Sequence, residues 1–175
     1  DNGQTTNELY NLPAGNYGFT VKDELDCHIS DTIILTQPSL LQVDSVGFSD
    51  HNGYEISCPE SSDGTIHLFV TGGANPYTYN WTKDGASFPS DTSYRDNLQA
   101  GNYSVTIADE NYCITTWNVI LEAPAAMIIN METSNVSCTG STLGTADAMV
   151  SGGVTPYSYT WDNGGGNTPS ISGLT

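Results

Sequence analysis

Two acidic clusters stand directly before cysteines: Asp23, Glu24 and Asp26 precede Cys27, and Asp109 and Glu110 recur at the matching places before Cys113. Carboxylates gathered near a strand end are hard oxygen ligands, and calcium is the cation that suits them. Asp23, Glu24, Asp109 and Glu110 are therefore the candidate calcium ligands. No DxDxDG loop accompanies them, however, and an acidic surface stays soluble without metal. The four cysteines, Cys27, Cys58, Cys113 and Cys138, are too widely spaced for zinc, which wants pairs about two to four residues apart. His28, His51 and His67 fall in different segments or on a strand face, and no serine or cysteine sits in a nucleophile elbow such as GxSxG. The chain thus offers no catalytic constellation. The remaining chemistry-bearing pattern is aromatic. TGGANPYTYNW (71–81) sets Tyr77, Tyr79 and Trp81 at alternate positions, and SGGVTPYSYTW (151–161) repeats this with Tyr157, Tyr159 and Trp161. Such rows either stack on sugar rings or fill a core, and a tryptophan on the third strand of a sandwich normally does the latter. Core packing is the expectation for these six residues; a carbohydrate-binding module with Tyr77, Tyr79 and Trp81 facing solvent is the alternative.

The elements that must carry these residues are strands. Gly, Ser, Thr and Asn dominate the polar set, which favours short strands joined by turns over helices. Against 20 Asp and Glu there are only three Lys and Arg, for a formal net charge of -17. That charge repels phosphate backbones and anionic lipid, so nucleic acid is a poor partner. No stretch approaches the ~18 consecutive apolar residues of a membrane-spanning helix, so no membrane insertion is expected, and DNGQTTNELY lacks the basic and apolar regions of a signal peptide.

The sequence repeats itself. LPAGNYGFTVKDELDC (12–27) matches LQAGNYSVTIADENYC (98–113) at an offset of 86, and Pro38 and Pro124 keep that offset. ISCPESSDGT (56–65) matches VSCTGSTLGT (136–145) at an offset of 80, as do the two Gly-Gly aromatic stretches, and Leu98 matches Leu174 at 76. Length therefore changes only between strands. This divides the chain into the later part of one repeat (1–38), a complete repeat (39–124) and the earlier part of a third (125–175). The expectation is an excerpt from a longer tandem array, its partners being neighbouring repeats and other copies in a filament. In such a filament the tail of one excerpt and the head of the next would make a whole domain.

Within the complete repeat, GTIHLFVTG places Ile66, Leu68 and Val70 on one face and His67, Phe69 and Thr71 on the other, the period of two of a half-buried strand. Tyr103, Val105 and Ile107 share a face in the same way, and CITTWNVIL supplies the last strand. Turns are expected at Gly72-Gly73, Asp84-Gly85 and Ala100-Gly101. About seven short strands in roughly 85 residues is the pattern of an immunoglobulin-like β-sandwich, so the fold class is all-β, as tandem sandwiches of this kind. Cys58 and Cys113 are the two cysteines inside the complete repeat. If their strands meet at one edge, a disulfide joins them and stabilises by about 4 kcal/mol. Cys27 and Cys138 would then pair outside residues 1–175, in an oxidising, extracellular setting.

The order of these pieces resembles the SprB-type repeats of Bacteroidota cell-surface adhesins. Cys58, Asp63, Gly64, Gly72, Gly73, Pro76, Tyr77, Tyr79, Trp81, Leu98, Gly101, Tyr103, Asp109 and Cys113 carry the likeness in the central copy. Gly152, Gly153, Pro156, Tyr157, Tyr159 and Trp161 repeat it, as do Leu12, Gly15, Tyr17, Asp23 and Cys27. The third copy departs from it, reading TLGTAD where the second has SSDGTI. The resemblance implies a very large secreted protein, exported by the type IX route and acting at the cell surface in adhesion or gliding. It also implies no catalytic residues and no cofactor. Asp31-Thr32-Ile33 and Asp44-Ser45-Val46 match the short pattern for O-glycosylation in such exported proteins, which makes Thr32 and Ser45 candidate sites. Surface glycans are a further candidate partner. A spacer attached to a secreted enzyme is the third functional reading.

Overall fold

The computed structural model describes residues 7–136, 143–162 and 166–174, so Cys138 lies outside the described residues. They form β-strands only, with no helix among them. A hairpin of β1 (Gly15–Lys22) and β2 (His28–Leu35) comes first. Then follow β3 (Gln42–Phe48), β4 (Gly64–Thr71), β5 (Thr78–Lys83), β6 (Ala86–Ser87), β7 (Tyr94–Leu98), β8 (Gly101–Ala108) and β9 (Ile114–Leu121). A last sheet holds β10 (Ile128–Ser134), β11 (Gly144–Ser151) and β12 (Ser170–Leu174).

Strands β3 to β9 build an immunoglobulin-like sandwich of two antiparallel sheets, ordered β3-β4-β7 and β6-β5-β8-β9. The alternation that the sequence shows along β4 and β8 is what fills the space between them. Ile66 and Leu68 from one sheet meet Trp81, Tyr103, Val105 and Ile107 from the other, with Leu41, Ile56, Leu98 and Leu121 closing the core. Trp81 exposes none of its surface, and its indole Nε1 donates to the Thr92 carbonyl at 3.0 Å, so the ring's one polar atom is satisfied inside.

Tyr103 performs the same service on β8. It is 2% exposed, and its hydroxyl donates to the Gln99 carbonyl at 2.9 Å, tying the strand back to the turn that starts it. Tyr103→Phe is expected to lower stability by about 1 kcal/mol, the net value of one hydrogen bond made by a buried side chain. Urea denaturation of the mutant checks this. Tyr17 makes the matching bond to the Pro13 carbonyl at 2.7 Å, in an exposed setting, so Tyr17→Phe should be close to neutral.

The flanking strands repeat this plan. The bounds of β1 and β2 are those of β8 and β9 moved by 86 residues; those of β10, β11 and β12 are those of β3, β4 and β7 moved by 86, 80 and 76. The hairpin carries Phe19 and Val21 at the places of buried Val105 and Ile107, and both are exposed. In the last sheet Ala146 and Ile171 are buried, but Tyr157, Tyr159 and Trp161 are only half-buried and lie outside any strand. The reason is topological. β5 is held in register by β8, and no strand matching β8 follows Trp161 within residues 166–174.

Candidate functional site

The two ends of the central sandwich are built differently, and the chain joins its neighbours through them. At the upper end, where the chain comes in, the Gly73 N–H donates to the Ser39 carbonyl at 2.8 Å. Gly72 and Gly73 have φ of 76° and 59°, a left-handed conformation that glycine adopts without penalty. A Cβ on Gly72 would fall inside the Leu40 carbonyl, and one on Gly73 would lie 2.7 Å from an Asp109 carboxylate oxygen. The Gly-Gly pair is thus fixed by close approach as well as by the turn.

Asp109, 4% exposed, is the hub of this end. One carboxylate oxygen accepts from the Ala74 N–H at 3.0 Å; the other accepts from the N–H groups of Asn111 at 2.9 Å and Cys113 at 2.8 Å. The Ala74 N–H foremost, with those of Cys113 and Asn111, holds its carboxyl below the ordinary carboxylate range, against the opposing pull of burial. Asp23 makes the same turn in the first copy, accepting from the N–H groups of Leu25 and Cys27 at 2.9 Å. These two aspartates, placed by sequence among the calcium candidates, use their oxygens on backbone donors. Glu24 and Glu110 are exposed beside them, and no cluster of three or more His, Cys, Asp or Glu suited to a metal ion occurs among the described residues.

A carboxyl depressed in the folded state contributes stability that is present above its unfolded pKa and lost as the pH falls through the lower, folded one. The urea midpoint of the chain should therefore fall steeply as the pH drops below the ordinary aspartate range, and Asp109→Asn should flatten that fall while lowering the midpoint near neutrality. An unchanged pH profile in the mutant would refute the assignment.

The lower end is closed by the long β3–β4 loop. The Ile56 N–H donates to the Glu122 carbonyl at 3.1 Å, and the Ile56 side chain fills the core. Asp63 accepts from the Ser57 N–H at 3.1 Å, and His51 Nε2 stands 3.9 Å from it. Gly64 has Leu121 and the Leu98 carbonyl against it.

Cys58 belongs to this lower loop, whereas Cys113 closes the hairpin at the upper end. Both are exposed and unbonded. The bridge expected between them is not made, and the geometry gives the reason: β9 begins one residue after Cys113 and runs its eight residues down to the Glu122 that Ile56 grips. Eight strand residues span roughly 25 Å, and a disulfide needs Cα atoms about 4.4–6.8 Å apart. The chain order of these loops was readable from sequence; the end of the sandwich to which each belongs was not.

The carbohydrate reading of the Tyr-Tyr-Trp row is corrected as well. Trp81 is inside the core, and Tyr77 and Tyr79 are half-buried against it. The Tyr77 hydroxyl donates to the Gly72 carbonyl, as Tyr157 does to that of Gly152. The aromatic groups that do face solvent are on the other side of β4. His67 lies between Phe69 and Tyr94, at ring distances of 4.4 and 5.8 Å, and all three are exposed. Alternation along β4 put His67 and Phe69 on that face; Tyr94 gave no signal, because β7 carries no clean alternation. His28 is exposed on β2. Thr32, on β2, and Ser45, beside the irregular register of β3, are also exposed.

Residues 55–86 and 130–166 match the SprB repeat family. The first segment runs from the lower loop through β4 and β5 to β6, and the second covers the corresponding part of the third copy. Among curated proteins, the chain is 40% identical over 60 residues to "Decoration protein" of Escherichia phage T5; the alignment covers 31% of this chain and 37% of that protein.

Proposed function

We propose that the chain, two segments of which match the SprB repeat family, is a non-enzymatic structural and adhesive segment of a long repetitive protein on the outer cell surface. One observation carries this reading: parts of the central copy's strand plan recur on both sides of it, and in the central copy the chain comes in at one end of the sandwich and leaves at the other. Such units stack end to end, each in contact with its neighbours alone, and the product is a stalk. The SprB family is one of structural repeats, and the likeness to a decoration protein supports a structural role too. Domain division at 1–38, 39–124 and 125–175, secretion by the type IX route and a part in gliding belong to the same proposal. Carboxylates in excess keep such a stalk soluble and its neighbours apart.

Antibodies to the central sandwich should label intact source cells, and protease shaving should remove the label. Label that appears only after permeabilisation would overturn the surface reading. For the adhesive part, cells lacking the repeats should attach less firmly under flow, and unchanged attachment would overturn it.

Carbohydrate contact is a second reading at the exposed His67, Phe69 and Tyr94 face, since flat aromatic groups stack on sugar rings. The third copy has Asp147, Met149 and Ser170 at those places, so this would be a property of one repeat and not of the array. Glycan-array binding lost in Phe69→Ala would favour it.

A further inference from the structure

We propose that the cysteines of these repeats bond between consecutive units: the lower-loop cysteine of one repeat, Cys58 here, with the upper-hairpin cysteine of the next. This rests on the tandem reading given above. Cys58 and Cys113 are exposed at opposite ends of one sandwich, so neither reaches the other, and each faces a junction. Cys27 occupies the upper-hairpin position in its own copy, inside the same Asp-capped turn as Cys113: the Cys27 N–H donates to Asp23 at 2.9 Å and the Cys113 N–H to Asp109 at 2.8 Å.

The junction is short. The last tie of the central sandwich is Ile56 N–H to the Glu122 carbonyl, and the first tie of the next copy is Gly153 N–H to the Ala125 carbonyl at 2.7 Å. Three residues separate those carbonyls, a span of about 10 Å at most. Cys58 lies two residues from Ile56 on the near side. On the far side, the upper hairpin is pinned beside the Gly-Gly turn, as Asp109 shows by holding Ala74 and Cys113 together. The two loops therefore border one narrow junction, where rotation about the linker brings their thiols within bonding range. Oxidation removes two protons and two electrons from the pair; a disulfide oxidant accepts them by thiol exchange and leaves as two thiols. The resulting bridge clasps neighbouring repeats and limits bending, leaving each core unchanged.

The test uses two copies of the chain fused so that Leu174 of the first continues into Pro13 of the second, a join that keeps the repeat in register because Leu174 and Leu12 both match Leu98. After oxidation with glutathione disulfide, the non-reduced digest should contain a peptide pair joining Cys58 of the first copy to Cys27 of the second. Cys58→Ser should abolish that pair and leave Trp81 fluorescence unchanged. A Cys58–Cys113 pair within one copy, or a first-copy Cys58 that stays open to alkylation in the oxidised protein, would overturn the bridge. Small-angle scattering of the reduced fusion separates the two ideas: an extended string of sandwiches whose first-copy Cys58 stays open to alkylation after oxidation sinks the bridge alone, whereas a particle no longer than a single copy sinks the tandem reading.

Discussion

Trp81→Ala is expected to cost the central sandwich about 3–5 kcal/mol, the range for emptying a large buried aromatic site. Domains of this size are stable by only about 5–15 kcal/mol in total, so the mutant should be largely unfolded at modest denaturant. Two losses combine. The indole spans the contact between the sheets with no surface exposed, and its removal leaves the Thr92 carbonyl without the Nε1 donor. Trp161→Ala supplies the control. That indole donates equally well, to the Thr168 carbonyl at 2.9 Å, yet it is only half-buried. Chemical denaturation followed by tyrosine fluorescence should show a large shift for the first mutant and a small one for the second. Equal shifts would mean that the core does not centre on Trp81.

Gly72→Ala and Gly85→Ala form the second comparison, because both glycines have nearly the same φ, 76° and 80°, and differ in surroundings. Nothing lies within 4 Å of a Cβ on Gly85, so that mutant carries backbone strain alone, about 1 kcal/mol. On Gly72 the new carbon meets the Leu40 carbonyl, and relieving the overlap displaces Leu41 from the core. A loss on the order of 3 kcal/mol or more is expected. Urea midpoints decide between them, and similar losses would show that the close approach at the upper end is dispensable.

Much of this fold was legible in the sequence because its signals are local or repeated. The offsets of 86, 80 and 76 read from matching motifs are those that relate the strands of successive copies. Alternation found the inward faces of β4 and β8, since a period of two is a property of the strand itself. What stayed hidden depends on where separate loops meet in space. The loop from 49 to 63 contains no strand, and sequence alone does not say that Ile56 folds back to seal the lower end, carrying Cys58 away from Cys113. Acidic residues beside a cysteine read equally as cation ligands or as caps for backbone N–H groups; Asp109 makes sense only once Ala74, 35 residues away, is seen against it. The outward group of His67, Phe69 and Tyr94 needed the pairing of β4 with β7, which departs from regular register near Gly64 and Ile66.

The placement of the two chain ends at opposite poles of the sandwich bears on how the molecule withstands drag. Tension arriving from the preceding segment pulls the first residue of β3 along its own axis, away from a β4 neighbour held by the rest of the sheet. The six paired positions of that ladder, from Gln42↔Thr71 to Phe48↔Ile66, are thereby loaded in shear, all together. The eight pairs of β8 with β9 are loaded likewise from the opposite pole. A ladder pulled from its side opens one rung at a time at low force; this one yields only when its rungs fail collectively, the resistance to lengthwise pull that the proposed stalk would need.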